Sequence, residues 1–220
     1  MKSLCLLTRR AGTTREAFRD YYETQHCRLG MKYFPFAKYL RNHVVAASVD
    51  IDFDCVSEFY FDAGRGGADL MATPVGDILR ADERKFMDQG LIRPAVAEES
   101  ILAGPPRDVA APGTQRQLLM LDPADGAADA DFFAALRDWG LALGAAPGML
   151  RVSLDRATPF APGAGGFPWR AMLSLWLAPG AAPVPIPAPP ATLTLGVALL
   201  ADVCESPPEL IRALYAPESN

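Results

Sequence analysis

The chain has 220 residues, of which 50% are hydrophobic and 21% charged, as in ordinary globular proteins rather than disordered, collagen-like or coiled-coil chains. The net charge of −5 and the absence of any basic run longer than Arg9-Arg10 argue against nucleic acid as a partner. No apolar run approaches the ~20 residues of a membrane helix, and Leu4–Leu7 is too short for a signal peptide. Four cysteines without paired spacing favour reduced thiols, so we expect a cytoplasmic protein.

Proline usage divides the chain into two parts. Three prolines fall in residues 1–103, and the other seventeen of the 20 fall in residues 104–220. The segment 104–115 has no periodicity and is rich in glycine and proline, which is typical of a linker. The sequence therefore predicts a first domain at 1–103, a linker at 104–115 and a second domain at 116–220.

A helix is predicted shortly after the first strand. Thr13-Thr14-Arg15-Glu16 forms a capping box, in which hydroxyl and carboxylate groups bind the free N–H groups at the helix start. Phe18, Tyr22 and His26 recur at four-residue spacing, which indicates one helix face directed at a sheet. Gly30 is the expected end of this helix.

The order of the predicted elements in the first half is βαββαβ, the ferredoxin-like arrangement. Its other elements are strands at Lys2–Arg9, Tyr39–Val49, Cys55–Phe61 and Ile92–Leu102, a turn at Gly64–Gly67, and a helix at Asp69–Met87 interrupted near Pro74.

The second half repeats this order in degenerate form. It has a predicted strand at Gln117–Leu121, a helix at Asp129–Leu143, and strands at Met149–Leu154, Arg170–Leu177 and Thr192–Val203. A proline-rich stretch, residues 178–190, replaces the second helix, because proline cannot occupy a helix interior. We expect a divergent internal duplication, with tandem ferredoxin-like units whose sheets face each other as one intramolecular α+β barrel.

Four segments of the first half carry a family resemblance. They are Leu6–Arg10 with Thr14-Arg15-Glu16, then Phe18–His26, then Tyr39–His43, and finally Asp54–Asp62 with Ala81–Phe86. In this pattern an aromatic pair is followed by a histidine four residues on, and Asp-x-x-x-Glu and Asp-Glu-x-x-Phe elements come later. The first half thereby resembles the EthD family, named for ethyl tert-butyl ether degradation, within the dimeric α+β barrel superfamily.

The resemblance implies a small barrel whose lumen takes a hydrophobic or aromatic molecule. Relatives include cofactor-independent monooxygenases, muconolactone-type isomerases and dehydratase-like proteins, and other members have no assigned reaction. No cofactor is expected, although some dimeric α+β barrels bind heme through one histidine, for which His26 or His43 would serve. With two histidines and no carboxylate spaced close to either, the sequence contains no metal-site signature.

His26 is the candidate acid/base group, because imidazole exchanges protons near neutral pH. Strand alternation places Tyr39, Arg41 and His43 on one strand face and Glu58 and Tyr60 on one face of the neighbouring strand. If both faces line the lumen, Arg41 stabilises developing negative charge, and Glu58 or His43 orients the ligand or the imidazole. The candidate ligand-binding residues are Tyr22, His43, Tyr60 and Trp176.

The candidate site residues also have purely structural interpretations. His26 could be a buried histidine bonded to a backbone carbonyl or to the helix C-terminus, and Arg41 and Glu58 could form a purely structural ion pair. The functional hypothesis is an enzyme that moves a proton on an aromatic or polyketide-like compound, in a monooxygenation, dehydration or isomerisation. The competing hypotheses are a non-catalytic binding or accessory protein and a barrel plugged by side chains. We expect a small hydrophobic molecule as partner, and either a monomeric pseudo-dimer or a homodimer.

Overall fold

A computed structural model shows eight strands and five α-helices in the residues that it describes, which are 1–62, 69–106, 109–160 and 165–217. The first half contains β1 (Lys2–Leu7), α1 (Arg15–Tyr21), α2 (Cys27–Tyr33), β2 (Phe36–Ala47), β3 (Cys55–Phe61), α3 (Pro74–Glu83) and β4 (Arg93–Ala103). A single π-helical turn, Tyr22–His26, joins α1 to α2, and short 3-10 turns lie at Asp69–Ala72 and Gln89–Leu91.

The second half has a similar order of elements up to its third strand. It contains β5 (Gln115–Pro123), α4 (Asp129–Gly144), β6 (Met149–Pro159), β7 (Ala171–Leu177), β8 (Leu193–Glu205) and α5 (Pro208–Leu214). Between β7 and β8 the chain is extended rather than helical, as the prolines require. We call residues 178–190 the strap. The side-chain amide of Gln117 holds the strap through two hydrogen bonds of 2.8 Å to the backbone N–H and carbonyl of Val184.

All eight strands form one closed antiparallel barrel in the order β1-β3-β2-β8-β5-β7-β6-β4. The four first-half strands are neighbours, as are the four second-half strands, and the barrel closes where β2 pairs with β8 and β4 pairs with β6. Closure leaves none of these strands with an unpaired edge. The two halves of the chain are therefore parts of one sheet.

The helices cover the outer face of this sheet. Phe18, Tyr22 and Met31 of the first helical segment pack on the first-half strands, and Phe132 and Leu136 of α4 pack on the second-half strands. A third apolar cluster fills the barrel interior with side chains contributed by both halves, including Leu4, Val56, Met120, Met172 and Leu199. No helix of the described chain is long and apolar enough to cross a membrane.

Most predicted elements of the described residues are present, with local corrections. Thr14 caps α1 as expected, accepting a hydrogen bond of 3.1 Å from the N–H of Ala17. The prediction that the helix ends at Gly30 is wrong: it continues to Tyr33, because burial of Met31 and Tyr33 outweighs the ~1 kcal/mol that glycine costs within a helix. Helix α5 was not predicted. The predicted turn at Gly64–Gly67 lies outside the described residues.

Candidate functional site

An apolar cavity of about 360 Å³ lies between the helices and the sheet of the first half. Small-molecule pockets commonly have volumes from ~300 Å³ upward and apolar walls with a few polar groups. Aromatic side chains form much of the wall, namely Tyr22, Phe34, Phe36, Tyr39, Phe59 and Phe61. The cavity is on the outer face of the sheet, beneath the helices, and not in the barrel lumen where the ligand was expected.

His26 belongs to this wall. It occupies the last position of the π-helical turn, which places it on the same helix face as Tyr22 and Phe18, as the spacing predicted. Its ring packs against Phe86 with centroids 4.9 Å apart. Single π-helical turns within α-helices are frequent at functional sites, so the location of His26 in this turn favours a functional role for it.

Asp82 of α3 holds the His26 ring in place. Nδ1 of His26 lies 2.9 Å from Oδ2 of Asp82, and both residues are buried. Oδ1 of the same carboxylate accepts hydrogen bonds from the Tyr21 hydroxyl at 2.7 Å and from Nζ of Lys85 at 2.9 Å. The hydrogen bond with His26, followed by those from Tyr21 and Lys85, holds the pKa of Asp82 well below its usual value, against the opposing effect of burial.

The ionised state of Asp82 fixes the tautomer of the histidine. A carboxylate only accepts hydrogen bonds, so Nδ1 of His26 must carry the shared proton. In the neutral ring Nε2 then has a free lone pair. The alternative in which His26 bonds a backbone carbonyl does not hold, because its partner is a carboxylate on another helix.

A chain of hydroxyl groups runs from the cavity wall into the sheet. The Tyr39 hydroxyl donates to the Tyr22 hydroxyl at 2.8 Å, and the Tyr22 hydroxyl lies 2.8 Å from Oγ of Ser57. Burial raises the pKa values of both tyrosines well above the ordinary value, so both are neutral donors. Their rings face the cavity, while their hydroxyl groups bond each other.

Arg41 and His43 lie away from the cavity, in a separate ion-pair cluster. Nε and Nη2 of Arg41 donate to the two carboxylate oxygens of Glu23 at 3.0 and 2.7 Å, and Nε2 of His43 lies 2.7 Å from Oε1 of Glu23. Burial acts to raise the pKa of Glu23, but the hydrogen bonds from His43 and Arg41 prevail and lower it to about 2. The alternative of a structural Arg41–Glu58 ion pair is therefore wrong, and so is the prediction that Arg41 and His43 line a lumen with Glu58.

Register explains this error. Tyr39 pairs with Phe59 and Arg41 with Ser57 across β2 and β3, so Arg41 shares the helix-covered face with Phe59. Glu58 points to the opposite face, into the barrel. The alternation predicted within each strand was correct. The error was to place the Arg41 face of β2 on the same side of the sheet as the Glu58 face of β3.

Glu58, Tyr60 and Trp176 are thus components of a polar cluster inside the barrel. Glu58 is fully buried, with Nη1 of Arg116 in very close contact and Nζ of Lys2 at 2.8 Å. The Tyr60 hydroxyl donates to Glu58 at 2.9 Å. The Trp176 ring lies 4.0 Å from the Arg116 guanidinium. These three residues, which were predicted to surround a ligand, contact one another and other side chains instead.

Lys2 is at the centre of this interior cluster. Its Nζ lies 2.7 Å from Asp155 and 3.1 Å from Glu99. Burial opposes ionisation of Lys2, but the surrounding carboxylates, Asp155 foremost, raise its pKa well above the ordinary value. Glu99 of β4 thus faces the barrel interior, whereas its neighbour Glu98 is exposed.

Two groups of side chains among the described residues place metal-ligand atoms within 4.8 Å of one another: Glu23, His43 and Cys204, and Glu58, Glu99 and Asp155. Each already contains a side-chain cation, Arg41 in the first and Lys2 in the second. A bound ion would have to displace these cations from the carboxylates. The expected lack of a metal stays a prediction.

Sequence reasoning missed three residues of the cavity region. Asp82 was noted only as part of a family motif, Gly30 only as a helix end, and Phe160 not at all. Asp82 is 56 positions from His26, so no local spacing could have paired them. The one available signal was that both residues lie in segments that carry the family resemblance.

Comparisons with known proteins agree with this architecture. Residues 10–90 match the EthD domain family, which confirms the resemblance of the first half. A solved structure described as an "anthrone oxidase-like protein" has a TM-score of 0.59 at 12% identity, covering 92% of this chain and 90% of that one. A "Putative monooxygenase" from Fusobacterium nucleatum has a TM-score of 0.51 at 12% identity, covering 81% and 76%.

A "Putative Chlorite dismutase" aligns over 97% of this chain and 98% of its own, at 9% identity and a TM-score of 0.48. No curated protein matches the chain significantly. At these identities the solved structures bear on the fold alone.

Proposed function

We propose, starting from the EthD domain in residues 10–90, that this protein is a small-molecule enzyme that abstracts a proton from a hydrophobic aromatic compound. The observation that carries the proposal is His26, which lies in the wall of an apolar cavity of about 360 Å³ and is held there by Asp82 behind it. A positioned imidazole next to a bound apolar molecule is the arrangement that general base catalysis needs.

The mechanism begins with Nε2 of His26. Its lone pair takes a proton from an acidic C–H or O–H group of the ligand, which leaves an electron-rich ligand anion and an imidazolium. Asp82 is a positioning residue: it orients the ring and stabilises the imidazolium through the bond to Nδ1. Exclusion of water by the aromatic wall strengthens this interaction.

The proton abstraction is common to three possible outcomes. An isomerisation returns the proton from His26 to a different ligand atom, and a dehydration delivers it to a departing hydroxide as water. In a monooxygenation the ligand anion reacts with dioxygen, and one oxygen atom is inserted into the ligand. The second oxygen atom leaves as water after it takes up two protons. We propose no cofactor for the proton transfer. Heme coordination by His26 would occupy the same Nε2, so the two roles exclude each other.

Proton abstraction can be measured without knowing the natural substrate. We propose anthrone as the first probe, since it is an uncharged tricyclic ketone with an acidic methylene and one structural neighbour is named anthrone oxidase-like. Deuterium incorporation at the methylene, followed by NMR under argon, reports the proton transfer alone. Oxygen uptake in air then tests for oxidation.

Matched variants assign the effect to the site. His26→Gln should slow exchange by about 10²–10⁴-fold while retaining the fold and binding. Asp82→Asn should lower the exchange rate by a smaller factor and alter the pH profile of exchange, since it retains the His26 imidazole but changes the orientation of the ring. His43→Gln removes the histidine that does not line the cavity and should leave exchange unchanged. Equal exchange with wild type and His26→Gln would contradict the proposal.

A non-catalytic binding protein is the second candidate. The observation in its favour is the wall itself, because apolar side chains contribute most of it and His26 is the single imidazole among its described residues. Such a protein would bind the aromatic compound in the same cavity. Binding of the probe without any acceleration of exchange would support this candidate.

The finer architectural predictions are proposals as well. We propose that the two halves are a divergent tandem duplication of a ferredoxin-like unit, with segment 104–115 as the linker. Support comes from the strand order, because β4-β1-β3-β2 and β8-β5-β7-β6 follow the same pattern within each half.

Since one chain closes the barrel, we propose a monomeric pseudo-dimer, which sedimentation would test. We also propose one site per chain, because both histidines of the chain lie in the first half.

A further inference from the structure

We propose that the cavity beside His26 admits uncharged, flat aromatic molecules and rejects carboxylates of the same ring system. This inference rests on the proposed function for the location of the site, and it adds the class of ligand. Charge, wall geometry and the residues at the mouth support it independently of the chemistry at His26.

Charge is the first argument. No Arg or Lys residue is among the described residues that line the cavity, whereas the acidic residue Glu83 is. The α-ammonium of Met1 is bonded to the carbonyl of Phe61 and belongs to a residue that is 59% exposed, so water screens it. A ligand carboxylate would lose its hydration on entering and would meet no buried cation among the described lining residues, which is unfavourable.

Protonation of His26 does not remove this obstacle. An imidazolium at His26 would already be paired with Asp82 at 2.9 Å, and that carboxylate is itself bonded to Tyr21 and Lys85. The charges of the His26–Asp82 pair then cancel, and the ammonium of Lys85, whose side chain is 60% exposed, is screened by water. A neutral hydroxyl or carbonyl group can still bond the ring nitrogen of His26.

The wall geometry indicates a flat ligand. Phe36 stacks with Phe34 and with Phe59, with ring planes inclined by only 20° and 26°. Gly30 of α2 faces the Phe36 ring, and a Cβ at this position would have only that ring within 4 Å, at 3.7 Å. The glycine therefore leaves open space beside a nearly planar aromatic surface. About two or three fused rings fit a cavity of this size class.

Phe160, at the end of the second-half strand β6, contributes to the same cavity. Its side chain is 52% exposed, which is unusual for phenylalanine. Stacking on a flat ligand would remove apolar surface of both partners from water. Phe160 is thereby the described residue through which the second half contacts the ligand.

Three ring-matched probes test the inference by calorimetry at a pH of about 7.5: 2-naphthol, 2-naphthoate and methyl 2-naphthoate. The naphthol and the ester are neutral at that pH and the naphthoate is ionised. We expect the two neutral compounds to bind at least about tenfold more tightly than the naphthoate. The ester separates charge from size, because it is larger than the acid and neutral. Naphthoate binding as tight as that of the ester would overturn the proposal.

Variants locate the binding. Gly30→Leu places a branched side chain in the open space and should weaken the binding of both neutral probes at least about tenfold, with Gly30→Ala as the milder change that retains the helix. Glu83→Gln should narrow the difference in affinity between the ester and the naphthoate. Phe160→Ala should weaken the binding of the neutral probes several-fold. Unchanged binding in both Gly30 variants would show that the probes bind elsewhere.

The outcomes for ligand class and for catalysis are separable. Selective binding of neutral probes without proton exchange would contradict the proposed enzyme and support the ligand class. Proton exchange that depends on His26, together with equal binding of naphthoate and ester, would support the enzyme and overturn the ligand class.

Discussion

Replacing Arg116 by methionine should destabilise the protein markedly, although this residue is remote from the cavity. Arg116 is fully buried inside the barrel, where it pairs with Glu58 and donates to Asn42 at 2.9 Å and to Ser174 at 2.7 Å. Because Glu58 belongs to the first half and Arg116 to the second, the pair connects the two halves across the interior. Arg116→Met removes the cation and leaves Glu58 buried.

The magnitude follows from what remains beside Glu58. Breaking a buried ion pair typically costs about 3–5 kcal/mol, because the remaining charge is desolvated. Lys2 stays 2.8 Å from Glu58, so the lower end, about 3 kcal/mol, is expected. At ~2–4 °C per kcal/mol for a chain of this length, Tm should fall by about 6–12 °C.

Urea unfolding followed by circular dichroism measures this free energy. The matched control is Arg19→Met, which breaks an Arg19–Asp202 pair whose side chains are 42% and 33% exposed. Exposed pairs contribute about 0–1 kcal/mol, so the control should change little. In a Glu58→Gln background the cost of Arg116→Met should shrink by more than about 1 kcal/mol. Equal losses for Arg116→Met and Arg19→Met would refute the reasoning.

Three further predictions concern pH, the first helix and the strap. Burial raises the pKa of Asp155 from 3.8 to about 6, so between about pH 4 and 6 this carboxyl group is more protonated in the folded protein than in the unfolded chain. The stability of the wild type relative to Asp155→Asn should therefore fall as pH rises through this window in urea titrations, and a constant difference would contradict this. Thr14→Ala removes the hydrogen-bond acceptor for the N–H of Ala17 and should cost about 1 kcal/mol by the same titration, whereas a neutral result would deny the cap any role. Gln117→Ala frees the backbone of Val184 and should speed amide exchange in the strap with little change in the barrel, and unaltered exchange would show that other contacts hold it.

Local patterns in the sequence were sufficient for most elements. The threonine cap, the Phe18–Tyr22–His26 face and the strand Cys55–Phe61 all depend on residues within a few positions of one another. The prolines of residues 178–190 likewise excluded a helix, since the constraint lies within each proline. The family resemblance could be recognised as well, because its motifs are short and contiguous.

The candidate site was only partly accessible from the sequence. His26 and Tyr22 were identified and do line the cavity, because a helix face is a local property. The positions of Arg41, His43 and Glu58 depended on how β2 is aligned with β3. Alternation gives two faces for each strand but not which faces coincide, and that is set by the register Tyr39–Phe59.

The sequence by itself thus determined most of the elements, the barrel class and one histidine on a sheet-facing stripe. Only the tertiary structure decided that His26 meets Asp82, that Arg41 meets Glu23, and that Glu58 is enclosed in the barrel with Lys2 and Arg116. The physical reason is that these contacts join residues many positions apart, whose geometry is fixed by sheet register and helix packing. Periodicity records which side of an element is buried, and the closed barrel determines what each buried side chain meets.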